Sequence, residues 1–361
     1  VFLSVGQEAD EVTPKVIVDA AVQSLREGRH HYTDVSGDGK LRAAIANYHN
    51  SLTGQACAID NCTVFSGAQN ALFSIAQVLL EQGDDVLMLE PYYTTYKTTF
   101  AVSGANIVEV PLSDRNHYQL DVDQLLNAVT ANTRMIVLNA PNNPMGQAYS
   151  LDAYQRIVEL CVKHQIWLVI DAVYMDIVDP SLISHPQVLP GANDIMITIS
   201  SLSKSHRMTG WRMGWAITPV ELTAHLANLS MCMHYGLPPF VMDAALVAIE
   251  QSTNTPSLVR DLLHTRRKIA MAELADIAPA VTHDTGMGMF IIVDVKPLGI
   301  TAYEFAVALL EQTNVAVLPC SGFGPTGEYL VRVGLCVDDD KLALACKKLK
   351  HFIQTDPIKC C

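Results

Sequence analysis

The sequence predicts an α/β protein: a large, mainly parallel sheet covered by helices, followed by a smaller α+β domain. Two observations carry this. From about residue 60 to 215, short β-rich runs with no polar face alternate with amphipathic helical stretches, the order that parallel strands need for their crossovers. Beyond residue 255 the order changes to a long helix, a strand, a helix, two strands and a last helix. Residues 16–254 therefore form the large domain, and 255–361 the smaller one. Residues 1–15 are too few to bury a core of their own and join the smaller domain.

Four runs read as strands buried on both faces: Asp84–Pro91 (DDVLMLEP), Arg134–Pro141 (RMIVLNAP), Ile166–Val173 (IWLVIDAV) and Asp194–Ser201 (DIMITISS). Between the second and third, SLDAYQRIVELCVKHQ spaces its apolar residues by three and four, with Ser150 to cap the first turn. In FSGAQNALFSIAQVLL a helix opens at about Ala68, behind Ser66 and Gly67. In the smaller domain PSLVRDLLHTRRKIAMAELADIA is a long amphipathic helix, and GMFIIVDV, VAVLP and EYLVRVGL are strands. Helices occupy Ala302–Gln312 and the stretch from Asp339.

Composition narrows the function. The 361 residues are 50% hydrophobic and 17% charged, an ordinary balance for a folded chain with a large core. A net charge of −13 argues against a broad phosphate-neutralising surface, and so against nucleic acid as partner. No apolar run reaches the roughly 18 residues of a membrane span, and no charged-then-apolar signal opens the chain. It begins VFLSVG, like the middle of a strand, so natural sequence is expected ahead of it. The nine cysteines are scattered without a C-x-x-C pair, and the twelve histidines without H-E-x-x-H spacing. Reduced thiols, no metal site and a cytoplasmic location are expected. His30 and His31 read as loop residues, Cys360 and Cys361 as a frayed tail.

Ligands of open α/β sheets collect beyond the C-terminal strand ends, and here three strands end in polar residues. One runs into NAPNNPMG, with Asn139, Asn142 and Asn143; another ends at Asp171, three residues before Tyr174; the third leads to Lys204 in SSLSKSHRMTGWRMGW. A lysine, an aspartate, an asparagine and a tyrosine suit an aromatic heterocycle bearing an aldehyde. The amine forms a Schiff base, the carboxylate keeps a ring nitrogen protonated, and the other two bond a ring oxygen. That is the chemistry of pyridoxal phosphate (PLP). Its phosphate suits the helix start at Ala68, where free N–H groups and the dipole favour a dianion, with Ser201 and Arg212 beside it. The GMG at Gly286–Gly288 reads as close backbone packing.

With NAPNNPMG, DAVY, SLSKSHRMTGWRMGW and YLVRVGL in this order, the sequence resembles the class I/II aminotransferases of the fold-type I PLP enzymes over essentially its whole length. The resemblance implies a seven-stranded sheet and a homodimer with shared active sites. It implies that Lys204 carries the cofactor and moves a proton at the substrate α-carbon. Asp171 then meets the pyridine nitrogen, Asn143 and Tyr174 the ring oxygen, and Tyr93 the ring face. Ala68 and Gln69 supply main-chain donors to the phosphate beside Ser201 and Arg212, and Tyr32 reaches it from the neighbouring subunit. Arg332 grips the substrate α-carboxylate near Asn143, and Gly6 allows close backbone approach. Met145 stands where threonine is usual, Ala172 where an acid is usual, and SVGQEADEVTP departs from the common G-x-P-D-F-x-T-P.

Within the family, HLANLSMCMHYGLPPFVMDAAL, SLSKSHRMTGW and HYTDVSG are most similar to members that transfer the amino group of arginine to pyruvate. The expected substrates are thus a basic L-amino acid and a 2-oxo acid. Among Glu8, Asp10, Glu11, Asp34 and Asp38, Glu8 is the first candidate to hold the guanidinium and Asp34, from either subunit, the second. The same scaffold also serves carbon–sulfur β-lyases and decarboxylases. A regulator that senses PLP is a further reading, but it needs a DNA-binding segment that this sequence does not contain.

Overall fold

The computed structural model describes residues 1–355; Cys360 and Cys361 lie outside them. Seven strands, β1 (Cys62–Phe65), β2 (Asp85–Glu90), β3 (Asn106–Pro111), β4 (Thr133–Asn139), β5 (Trp167–Asp171), β6 (Met196–Ser201) and β7 (Gly214–Ile217), make one sheet. Their order is β1-β7-β6-β5-β4-β2-β3. Only β7 runs against its neighbours; the pairings from β6 to β3 are parallel. A second, antiparallel sheet takes β8 (Val281–His283), β9 (Phe290–Asp294), β10 (Leu318–Pro319) and β11 (Leu330–Gly334) in the order β10-β11-β9-β8.

The apolar runs have no polar alternation because both faces of the large sheet are covered. Successive residues of a strand point to opposite faces. Val86 and Met88, Met135 and Val137, and Val169 join the cluster under the helix Ala68–Leu79. Their neighbours Leu87 and Leu89, Ile136 and Leu138, and Leu168 and Ile170 join the cluster under the helix Leu151–His164. Ser150 caps that second helix, its side chain accepting the Ala153 N–H.

Three expected elements are shorter than their apolar runs. Residues Ala192–Ile195 make a helical turn after the left-handed Gly191, so β6 begins only at Met196. VAVLP pairs as a strand only at Leu318–Pro319, because the start of the chain occupies its upstream edge. Leu3 donates to the Ala316 carbonyl and Ala316 to that of Val1, at 2.7 and 2.9 Å. Leu3 also accepts from Gly334 and lies in the core of the smaller sheet. The long helix ends at Glu273, before the left-handed Asp276 and Pro279. No helix among the described residues is long and apolar enough to cross a membrane.

Candidate active site

Parallel pairing brings the ends of β4, β5 and β6 to one edge, with Asn139 directly opposite Asp171. Beyond that edge lies a cavity of about 600 Å³. Of the residues expected from sequence, Ala68, Gln69, Tyr93, Asn143, Asp171, Tyr174, Ser201, Lys204, Arg212, Arg332 and Gly6 line it; Tyr32, Glu8 and Asp34 do not.

Lys204 follows β6 by one helical turn, Leu202–Ser205, which Ser201 caps by accepting the Ser203 N–H. Its Nζ donates to the Gly6 carbonyl at 2.7 Å. Burial lowers the lysine's pKa, and the Arg332 and Arg212 cations push the same way against Cys336 and Asp171. The neutral amine is therefore easier to reach than on an exposed lysine.

Asp171 is buried, and burial raises its pKa. The strongest opposing influence is the Tyr96 hydroxyl, which donates to Oδ2; the Val173 N–H donates to Oδ1 at 3.2 Å. Tyr96 is the residue the sequence reading missed. It opens the helix Tyr96–Ala101, and its spacing of three from Tyr93 sets the two rings edge to face, their centroids 5.7 Å apart. That repeat in PYYTTY was the available signal.

Asn143 joins the two halves of the site. Its N–H donates to Asn139 Oδ1 at 2.7 Å and its Nδ2 to the Tyr174 hydroxyl at 3.4 Å. Its Oδ1 accepts from Arg332 Nη1 at 2.9 Å. Arg332 also donates to the Ser4 carbonyl, and its guanidinium lies 3.8 Å from the centre of the Phe290 ring. Its buried Nε has no partner, an orphan donor suited to a carboxylate.

At the other end the helix Ala68–Leu79 points its N-terminus at the cavity behind Gly67, whose φ is +82°. A Cβ on Gly67 would come within 2.4 Å of Arg212 Nη2, and one on Gly214 within 2.6 Å of the Ala68 nitrogen. The Gln69 side chain is taken up by Thr95 and Thr99, so its contribution to the site is its main-chain N–H. Free helix N–H groups under an arginine form an anion cradle. A phosphate at one end, an acid for a ring nitrogen, two groups for a ring oxygen and a desolvated amine match PLP.

The acids near the entrance differ from expectation. Glu8 does not face the reactive cavity as a free carboxylate. Its side chain is 4% exposed and pairs with Arg266 at 2.8 Å, which also holds Asp339. Asp10 pairs with Lys341 and accepts the Asp338 N–H, and Asp38 caps the helix Gly39–Thr53. Glu11 lies 3.3 Å from Arg207. Asp34 is exposed and accepts the Ser36 N–H. Tyr32 is 84% exposed, its ring edge-on to Tyr235 at 5.0 Å. The glycines of the GMG segment do not serve close packing, since a Cβ at Gly286 or Gly288 would meet nothing within 4 Å; both take positive φ, and the Met287 and Gly288 carbonyls accept from the buried Arg267.

The family model of aminotransferase class I and II matches residues 1–349. An arginine–pyruvate transaminase of Pseudomonas aeruginosa is 39% identical over 96% of this chain and 88% of its own. An aspartate aminotransferase of Pyrococcus horikoshii is 28% identical, over 98% and 90%. The solved N-succinyldiaminopimelate aminotransferase of Mycobacterium tuberculosis superposes with a TM-score of 0.91 at 31% identity, covering 97% of this chain and 92% of that one. The chain belongs to the class I and II aminotransferases, fold-type I enzymes that depend on PLP.

Proposed function

We propose that this aminotransferase takes the amino group of a basic L-amino acid, arginine before others, and passes it to a 2-oxo acid such as pyruvate. The observation that carries the chemistry is the desolvated Lys204 amine, set in one cavity with Asp171 and Arg332. The 39% identity to an arginine–pyruvate transaminase supports the choice of donor and acceptor.

Bound in this cavity, PLP supplies a carbonyl that condenses with amines and a ring that accepts electrons from the substrate α-carbon. Lys204 would hold it by its amine, with Asp171 at the ring nitrogen, Asn143 and Tyr174 at the ring oxygen, and Tyr93 against the ring face. Ala68, Gln69, Ser201 and Arg212 would hold the phosphate. Arg332 takes the substrate α-carboxylate through a planar fork that a lysine could not reproduce. Lys204, whose neutral form burial makes easier to reach, would move the proton at the α-carbon. Tyr32 plays no part in its own chain's cavity, which fits a homodimer in which it completes the partner's phosphate site.

A screen of amino donors against 2-oxo acceptors, following formation of the new 2-oxo acid, tests the reading. Arginine with pyruvate should be among the fastest pairs, and Lys204→Ala should abolish turnover. Release of ammonia and pyruvate without an acceptor would make the protein a β-lyase instead. Neutral or aromatic donors equal to arginine would overturn the donor assignment.

A further inference from the structure

A second cavity of about 800 Å³ adjoins the first. The two share Gln7, Ser203, Lys204, Thr209 and Gly210, while Arg332 lines only the first. A donor held by its α-carboxylate on Arg332, with its α-carbon at Lys204, therefore has room for a long side chain beyond Lys204. Besides Lys204, the charged residues along that second wall are Glu8, Glu11, Lys15 and Arg207. Glu8 is sealed against Arg266. Lys15, with its side chain 85% exposed, is paired with Asp19. Glu11 and Arg207 remain.

We propose that Glu11, with Arg207 as its displaceable partner, reads the charge at the far end of the donor side chain. The inference rests on the basic-donor reading above and names the residue that would produce it. The Glu11–Arg207 contact is a single one of 3.3 Å, and the Glu11 side chain is 45% exposed. Strong charge-assisted bonds are shorter, about 2.7–2.9 Å, and a guanidinium prefers to meet a carboxylate with two parallel N–H groups. Arg207 is held elsewhere. Its carbonyl accepts from Thr13 Oγ1 at 2.7 Å, and that hydroxyl accepts from Trp211 Nε1 at 3.1 Å. Its main chain sits at φ +56°, a conformation an L-residue keeps only under constraint. Its Nε is buried without a partner. The Arg207 guanidinium, on a side chain 14% exposed, thus meets Glu11 through one long contact where that of a donor could bind in a two-pronged way. A lysine ammonium, with no planar fork, is the poorer substitute.

The test compares kcat/KM of the holoenzyme for L-arginine, L-norvaline and L-glutamate, which differ in the charge of the side-chain end. It adds the inhibition constants of 5-guanidinopentanoate and pentanoate, which lack the reacting amine and report binding alone. In Glu11→Gln the arginine-to-norvaline ratio should fall by about 10- to 100-fold, the range of one hydrogen bond to a charged group. The preference for 5-guanidinopentanoate should fall alongside it. Arg207→Met should raise the arginine-to-glutamate ratio. If Glu11→Gln does not fold, Glu11→Asp, which withdraws the charge by one carbon, should lower the same ratio by a smaller factor. An unchanged ratio in the Glu11 variants overturns the inference, as does an unchanged or lowered arginine-to-glutamate ratio in Arg207→Met. If wild type uses arginine no better than norvaline, the donor reading itself fails before any variant is made.

Discussion

Replacing Tyr96 by phenylalanine removes one oxygen and keeps a ring to pack against Tyr93 and Phe100. The lost hydroxyl is the donor to Asp171 Oδ2, leaving the Val173 N–H at 3.2 Å on the other oxygen. A hydrogen bond to a charged group contributes about 1.5–3 kcal/mol. Losing it weakens the ionised form by about that amount, so the Asp171 pKa should rise. The direction follows from the site: burial already raises this pKa and the Tyr96 bond opposes it, so losing the bond adds to burial. A carboxyl with a raised folded pKa stabilises the fold in its protonated form. That contribution is complete below the unfolded pKa of about 3.9 and is lost as pH climbs through the folded value. Tyr96→Phe moves the upper end of this window higher. Infrared difference titration of the cofactor-free protein, with Asp171→Asn as blank, reads the midpoint directly. The acid limb of kcat/KM in the holoenzyme should move the same way. A carboxyl midpoint equal to wild type in Tyr96→Phe would refute the reasoning.

Gly67→Ala puts a Cβ 2.4 Å from Arg212 Nη2 at a φ of +82°, so the guanidinium must leave the helix end. PLP affinity, followed by absorbance during dialysis, should drop about tenfold or more, the effect of weakening one charged contact. Gly28→Ala is the control: its φ is +76° with nothing within 4 Å, so it carries the backbone strain and should leave PLP affinity as it was. Glu8→Ala leaves Arg266 buried with Asp339 as its remaining acid and should lower stability by about 3–5 kcal/mol in urea unfolding, with all donors affected alike. Loss of arginine turnover alone, at wild-type stability, would return Glu8 to the substrate role expected from sequence.

The reactive half of the site was legible because each of its residues interrupts a local pattern. Asn143, Asp171 and Lys204 are polar groups at or just beyond the ends of runs buried on both faces, and parallel pairing converges such ends at one edge. Tyr96 was not legible from its strand because it lies in the following helix and acts through Asp171. Glu8 was misread for a long-range reason. Its partner Arg266 is 258 residues away on the helix Thr255–Glu273, where it reads as an ordinary surface arginine of an amphipathic stretch. The strand VAVLP was over-read because the competitor for its edge is the start of the chain, which no local pattern links to residue 316.

The opening residues also tie this cavity to the smaller sheet. Arg332 and Lys204, the two groups a substrate must engage, are held by main-chain carbonyls two residues apart, those of Ser4 and Gly6. A carbonyl can stand in for one oxygen of a carboxylate without adding charge, so neither group lacks a partner and neither is locked in an ion pair. Gly6 can come this close because a Cβ there would lie 2.6 Å from the Phe290 ring, the same ring that lies against Arg332. The segment is anchored just upstream, where Leu3 bonds both Ala316 and Gly334 of the smaller sheet's edge. Displacing Ser4 and Gly6 therefore pulls on that sheet. The main chain that meets Arg332 and Lys204 is thus tied, within four residues, to β11, the strand that carries Arg332 itself.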